Sequence, residues 1–323
     1  MDRPHFPSPP FATPTLAVWA IAGTVLLSGC GSVEQPAASL APAAPHAYPE
    51  SNTASPAPRE VAEAPSPAPA PSPKPATQPA GAPSITAKCA LLVDHHGRIL
   101  FEKNAGMRVP AASTQKLLLG ILIVERGGLS QTVTVAESDT WAEPTKMGIK
   151  AGEVYTREEL LRAVLIRSSN DIARCLARDH SGSVSAFAAA MNQRARQLGM
   201  HDSYFTNASG LPTPPGQYST ARDLVRLTNA AMRHSFIRNA VATKALVFRF
   251  PDGRTKPVYN TNQVLRKFPY CTGAKTGYTN AAGRCLVSTA SGNGRSVTSV
   301  ILGSTTPNVW TESEALLRYG LGL

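Results

Sequence analysis

Residues 113–126 read STQKLLLGILIVER and run into Gly127-Gly128. From 117 to 124 every residue except Gly120 is large and apolar, so the segment reads as a helix buried on nearly all sides. Ser113 stands three residues before Lys116, which places hydroxyl and ammonium on nearly the same side of that helix. A lysine desolvated there, near a second cation, has a lowered pKa and can take the serine proton. The helix start also supplies a free backbone amide for an oxyanion. Taken alone, a capping serine followed by a surface lysine is the commoner explanation of such a pair.

Outward from this helix the pattern alternates. Residues 88–93 and 98–102, joined by Asp94-His95-His96-Gly97, read as two strands and a turn. Thr156 and Glu159 make a capping box ahead of Leu160, Leu161, Val164 and Leu165. Phe187, Met191, Ala195 and Leu198 form a helical stripe that stops at Gly199, and Thr220 caps a further helix carrying Leu224, Val225 and Leu227. Residues 246–250 and 255–259 flank Pro251-Asp252-Gly253 as a hairpin. Residues 271–276, 284–289 and 296–302 read as sheet strands, and 312–319 as a closing helix. Strands at both ends with helices between them imply an α+β fold, an antiparallel β-sheet packed against a helical cluster.

The first 84 residues do not belong to that fold. Residues 16–27, LAVWAIAGTVLL, are too few to span a bilayer and have the length of a signal-peptide core. Leu27-Ser28-Gly29-Cys30 follows at once and resembles the bacterial lipobox. Residues 1–29 are therefore expected to be a lipoprotein signal and Cys30 the lipidated residue; an ordinary signal peptide with an incidental cysteine is the alternative. By that resemblance, Gly31 after the cysteine leans toward the outer rather than the inner membrane of a Gram-negative envelope, on its periplasmic side. Between residues 31 and 84 lie 14 prolines and 15 alanines with few large apolar side chains. Residues 30–84 thus read as a semi-rigid tether, or less readily as a proline-rich ligand, and residues 85–323 as the folded domain.

The remaining cysteines are Cys89, Cys175, Cys271 and Cys285, which allow zero to two disulfides. None has metal-knuckle spacing, and no metal or cofactor is expected. After Ser84 there are 29 basic against 16 acidic residues, scattered rather than massed in one stripe. Anionic substrate and wall polymers account for this better than nucleic acid, which is not an expected partner.

Two further motifs complete the site. Ser168-Ser169-Asn170 closes the Thr156 helix, where it could merely cap or turn the chain. Lys275-Thr276-Gly277 lies on a strand, where an edge Lys-Thr pair is ordinary but Gly277 permits close backbone approach. An open edge there could receive an extended peptide. Ser-x-x-Lys, Ser-x-Asn and Lys-Thr-Gly occur in that order, roughly 50 and 105 residues apart, on helix, turn and strand. The three together mark β-lactamases and penicillin-binding proteins. Residues 88–320 further resemble the low-molecular-weight penicillin-binding proteins, the serine-type D-alanyl-D-alanine carboxypeptidases (peptidase S11). The stretches that carry the likeness are MNQRARQLGM (191–200), NASGL (207–211), YSTARDL (218–224), NTNQVL (260–265) and AKTGYTNAAGRCLV (274–287).

That resemblance implies a β-lactamase/transpeptidase-like fold and a role for each residue. Ser113 would attack the penultimate D-alanine carbonyl of a peptidoglycan stem peptide, with Lys116 as base. The amides of Ser113 and Tyr278 would hold the oxyanion. Ser168 would relay a proton to the leaving amine, and Asn170 would position substrate and Lys116. Lys275 would supply positive potential, Thr276 would bond the terminal carboxylate, and Gly277 would complete the substrate-binding strand. β-Lactam antibiotics would acylate Ser113 as covalent inhibitors, and the lipid at Cys30 would be the membrane partner. Two features depart from the family. Residues 304–311, STTPNVWT, lack the arginine that commonly helps bind the carboxylate. Either Lys275 and Thr276 suffice, or another base such as Arg284 substitutes, or the substrate is a crosslink and the activity D,D-endopeptidase. The C-terminal β-rich domain and amphipathic anchor of larger members have no counterpart before Leu323, so lipid and tether would take over anchoring. A class A β-lactamase needs a deacylating glutamate, and none occurs from 160 to 311. A non-catalytic wall-binding protein would have eroded at least one motif, and all three are intact.

Overall fold

The computed structural model describes residues 81–323. The signal segment, the lipid site at Cys30 and all but the last residues of the Ala/Pro tether lie outside them. Two strands open the described chain, β1 (Cys89–Asp94) and β2 (Ile99–Lys103). A single 3₁₀ turn, Ala112–Gln115, leads into α1 (Lys116–Arg126). Then come β3 (Thr132–Thr134), α2 (Glu137–Thr140), β4 (Val154–Thr156), α3 (Arg157–Arg167), α4 (Asn170–Ser181) and α5 (Val184–Gln197). After a long connection the chain forms α6 (Ala221–Ala231), α7 (Ser235–Ala242), the hairpin β5 (Ala245–Arg249) and β6 (Thr255–Tyr259), and α8 (Gln263–Lys267). It finishes with β7 (Cys271–Thr279), β8 (Gly283–Gly292), β9 (Arg295–Ser304) and α9 (Asn308–Leu321).

The main sheet has the order β2-β1-β9-β8-β7, antiparallel throughout, so the first strands of the domain pair with its last. β1 reads CALLVD without polar alternation because both its faces are covered. Cys89, Leu91 and Val93 face one core with α1, α3, α4, α5, α6 and α7, while Ala90 and Leu92 face a second core under α8 and α9. α1 is buried at every position from Lys116 to Ile123, as its unbroken apolar run requires. The capping box at Thr156 is formed in both directions, Glu159 N–H to Thr156 Oγ1 at 3.2 Å and Thr156 N–H to Glu159 Oε2 at 2.8 Å.

Several elements were not read from the sequence. α4 begins at Asn170, so Ser168-Ser169-Asn170 is the joint between two helices rather than only the end of one. Ser113 lies in the 3₁₀ turn and not in α1 itself. Three residues per turn eclipse positions i and i+3, which sets Lys116 over Ser113 more directly than an α-helical turn would. The four described cysteines are separate buried thiols. Burial pushes Cys175 up to about 12 and Cys271 and Cys285 up to about 11. Among the described residues no group of His, Cys, Asp and Glu could hold a metal, and no helix is long and apolar enough to cross a membrane.

Candidate active site

Three segments distant in sequence converge where β7, the edge strand, meets the turn before α1. Gly277 backs directly onto that turn: a methyl group there would lie 2.9 Å from Ala111 O and 3.0 Å from Ser113 N. The close approach expected at this glycine is therefore made by the strand carrying the Lys-Thr pair against the segment carrying Ser113. A second glycine works from the other side. Gly210, at φ +87°, would put a methyl 2.2 Å from Ala112 O and 2.7 Å from Ser113 N. Ala112 and Ser168, neither of them glycine, also sit at positive φ, 48° and 69°. Such conformers cost about 1–3 kcal/mol each and persist only where the surroundings enforce them.

Lys116 is wholly buried and its Nζ has three partners: Ser113 Oγ at 2.8 Å, Asn170 Oδ1 at 2.7 Å and Ser209 O at 2.7 Å. Two of these, an amide oxygen and a carbonyl, can only accept. As an ammonium, Nζ donates to all three while the Ser113 hydroxyl donates on to Ser209 O; as a neutral amine it can accept the Ser113 proton once that hydroxyl turns to it from Ser209 O. Desolvation holds the Lys116 pKa well below that of a free lysine, and the nearby charge of Lys275 pushes it in the same direction. The Asp171 carboxylate opposes both. Lys275 is equally buried. Its Nζ donates to Ser168 Oγ at 2.8 Å and to Thr276 O at 3.1 Å, and burial alone lowers its pKa to about 7.

The supporting frame is mostly backbone. Ser209 O also accepts from Ser113 Oγ at 3.0 Å. Its loop is shaped by Asn207, whose Oδ1 accepts from Ser209 N at 2.9 Å and Gly210 N at 2.8 Å, while Gln115 Nε2 donates to Asn207 O at 2.6 Å. Asn170 Nδ2 holds the carbonyls of Glu143 and Pro144 at 3.0 and 3.1 Å. Buried Asp171 ties the same loop through Met147 N and Gly148 N at 3.0 and 2.8 Å. Thr276 Oγ1 meets Thr261 Oγ1 at 2.6 Å.

The structure thus brings Ser113, Lys116, Ser168, Asn170, Lys275, Thr276, Gly277 and Tyr278 into one place; Cys30 lies outside the described residues. A cavity of about 360 Å³ opens over Ser113, Ser168, Asn170, Thr276 and Tyr278. Among the described residues no Asp or Glu lines it, whereas Arg167 and Arg284 do. A groove of about 690 Å³ adjoins it past Trp141, Arg174 and Thr213, sharing Asn170, Leu211 and Tyr278. Sequence reasoning did not assign the Ser209 carbonyl, Gly210 or Asp171. NASGL was visible as a stretch, but a carbonyl oxygen leaves no side-chain signature to read.

A serine beside a buried lysine, on a sheet-and-helix scaffold of the penicillin-binding and transpeptidase type, fits a serine-type hydrolase. The family model described as D-alanyl-D-alanine carboxypeptidase, peptidase S11, matches residues 76–306, and the chain belongs to that family of serine hydrolases acting on peptidoglycan. D-alanyl-D-alanine carboxypeptidase DacB2 of Mycobacterium tuberculosis is 32% identical, over 76% of this chain and 87% of its own length. A D-alanyl-D-alanine endopeptidase of Pseudomonas aeruginosa is 31% identical, over 69% of this chain and 74% of its own. Among solved structures, the Streptomyces K15 DD-transpeptidase superposes with a TM-score of 0.71 at 27% identity, covering 75% of this chain and 99% of that one.

Proposed function

We propose that the protein is a serine D,D-carboxypeptidase that removes the terminal D-alanine from peptidoglycan stem pentapeptides. The observation that carries this reading is the buried Lys116 amine hydrogen-bonded to Ser113 Oγ, which itself lines a cavity with Arg167 and Arg284 and, among the described residues, no carboxylate. Lys116, neutral, takes the Ser113 proton as Oγ bonds to the carbonyl carbon of the penultimate D-alanine. The amides of Ser113 and Tyr278 hold the oxyanion, and Asn170 fixes Lys116 and the substrate. The proton passes by way of Ser168 to the leaving nitrogen as the C–N bond breaks and D-alanine departs. Water then hydrolyses the ester and returns the proton to Ser113. Lys275 supplies positive potential, Thr276 offers its hydroxyl to the substrate's carboxylate, and the adjoining groove has room for the rest of the stem peptide.

Penicillins enter the same path, but ring opening leaves their leaving amine tethered in the cavity, and no carboxylate among the described residues lines it to activate water there, so their acyl-enzyme persists. That also sets aside rapid β-lactamase activity. The enzyme is placed on the periplasmic side of the envelope, held by lipid at Cys30 and reaching the wall through the tether of residues 30–84. Incubation with a pentapeptide and with a crosslinked muropeptide tests the reading. Release of D-alanine from the first supports it; cleavage of the second alone makes the enzyme an endopeptidase.

A further inference from the structure

The register of β7 with β8 sets Tyr278 directly opposite Arg284, and β9 sets Ser304 on the other side of Arg284. Opposed residues share a face of the sheet. The Arg284 guanidinium accordingly lies over the Tyr278 ring, 4.3 Å from its centroid, and its Nε donates to Thr306 Oγ1 at 2.7 Å. Ring and hydroxyl hold the guanidinium in place, while its two terminal nitrogens meet no carboxylate among the described residues. Trp310 joins the cavity lining from the helix just beyond Thr306, and its indole Nε1 is buried without a hydrogen-bond partner. A buried N–H left without an acceptor costs about 1–3 kcal/mol. One side of the cavity thus presents a held guanidinium whose terminal nitrogens meet no carboxylate among the described residues, with Trp310 in the same lining.

We infer that Arg284 receives the carboxylate of the incoming ligand: the free C-terminus of a D-alanyl-D-alanine peptide, or the carboxylate of a penicillin. This rests on the reading above and adds to it the group that selects a free chain end. Thr276 lies two residues before Tyr278, on the same face of β7, so its hydroxyl points to the same part of the cavity. A planar guanidinium suits a carboxylate because two parallel N–H groups meet two oxygens. Arg167, the other arginine of the cavity, stands beside Ser168 at the end of α3, with no ring or hydroxyl bonded to it among the described residues. The cation that this family usually takes from the strand-to-helix junction is here supplied from β8.

Acylation of Ser113 by benzylpenicillin and by its methyl ester, followed by intact-protein mass, tests the assignment. Arg284→Gln is expected to slow acylation by the acid about tenfold or more and to leave the ester within about twofold of wild type. The ester reaction also reports that the variant is folded. Arg284→Lys should recover part of the rate with the acid. Equal losses for acid and ester, no loss, or a selective loss with Arg167→Gln instead would overturn the assignment. D-Alanine release by the wild type is scored separately. A wild type that distinguishes acid from ester through Arg284 but releases no D-alanine refutes the peptidase reading and supports the carboxylate site.

Discussion

Lys116 Nζ lies 2.8 Å from Ser113 Oγ while its other two partners, Asn170 Oδ1 and Ser209 O, are acceptors only. The contact puts the amine within reach of the serine proton: when neutral, Nζ can accept it once the Ser113 hydroxyl turns from Ser209 O, its acceptor at 3.0 Å.

Removal of the base is the first test. Lys116→Ala should lower the rate of penicillin acylation on the order of 10²–10³-fold, and Ser113→Ala should form no covalent adduct. Intact-protein mass spectrometry with time checks both, and a stable adduct on Ser113→Ala would refute the assignment of the nucleophile.

Gly210→Ala tests the backbone frame. The added methyl would collide with Ala112 O and Ser113 N, main-chain atoms that no rotamer change can move. Acylation should fall by more than about tenfold, because the Ser113 amide is displaced from the oxyanion position. A variant that acylates at the wild-type rate would show that the Ser113 turn tolerates movement.

Asp171 gives a pH prediction with a definite sign. Its charge works against the lowering of the Lys116 pKa. Asp171→Asn removes that opposition, so Lys116 becomes neutral at lower pH and the acidic limb of the acylation rate shifts downward. Losing one acceptor for Met147 N or Gly148 N should also destabilise the fold by about 1–3 kcal/mol. A pH–rate profile beside a denaturant melt separates the two effects, and an upward shift would contradict the first.

Lys275 links stability to pH. Burial holds it near 7 against 10.5 for an unperturbed lysine, so between these values the unfolded chain binds more protons and stability rises with pH. Below about pH 7 both states are protonated and the cost is fully present, on the order of 5 kcal/mol at ~1.36 kcal/mol per pH unit. Lys275→Met should therefore raise the melting temperature at pH 7 and flatten its rise toward pH 10, while abolishing normal acylation. Thermal melts across that range decide it; an unchanged slope would place the burden on other groups.

The α1 helix, the capping box at Thr156, the β5–β6 hairpin and the last three strands were legible because their signals are local. An apolar run, a cap three residues from its partner, or a turn tripeptide is complete within a few positions. α4 was missed because NDIARCLARDHS mixes charge into its buried face, and β3, β4, α2, α7 and α8 are too short for periodicity to show. Among the residues that converge here, the motif side chains were legible, whereas Ser209, whose carbonyl holds Lys116 and Ser113, was not.

The sequence by itself determined which chemical groups this protein has and in what order: a serine and lysine one turn apart, a Ser-x-Asn joint, and a Lys-Thr-Gly strand with an arginine seven residues beyond the glycine. Only the tertiary structure decided that β7 is an edge strand and that Gly277 and Gly210 clasp the Ser113 turn. It also decided that two lysines are stripped of water, and that Arg284 lines the same cavity as Ser113. The reason is that desolvation and close approach are properties of the space between segments. A residue's pKa and reach are set by neighbours that the chain brings to it from 50 to 160 positions away.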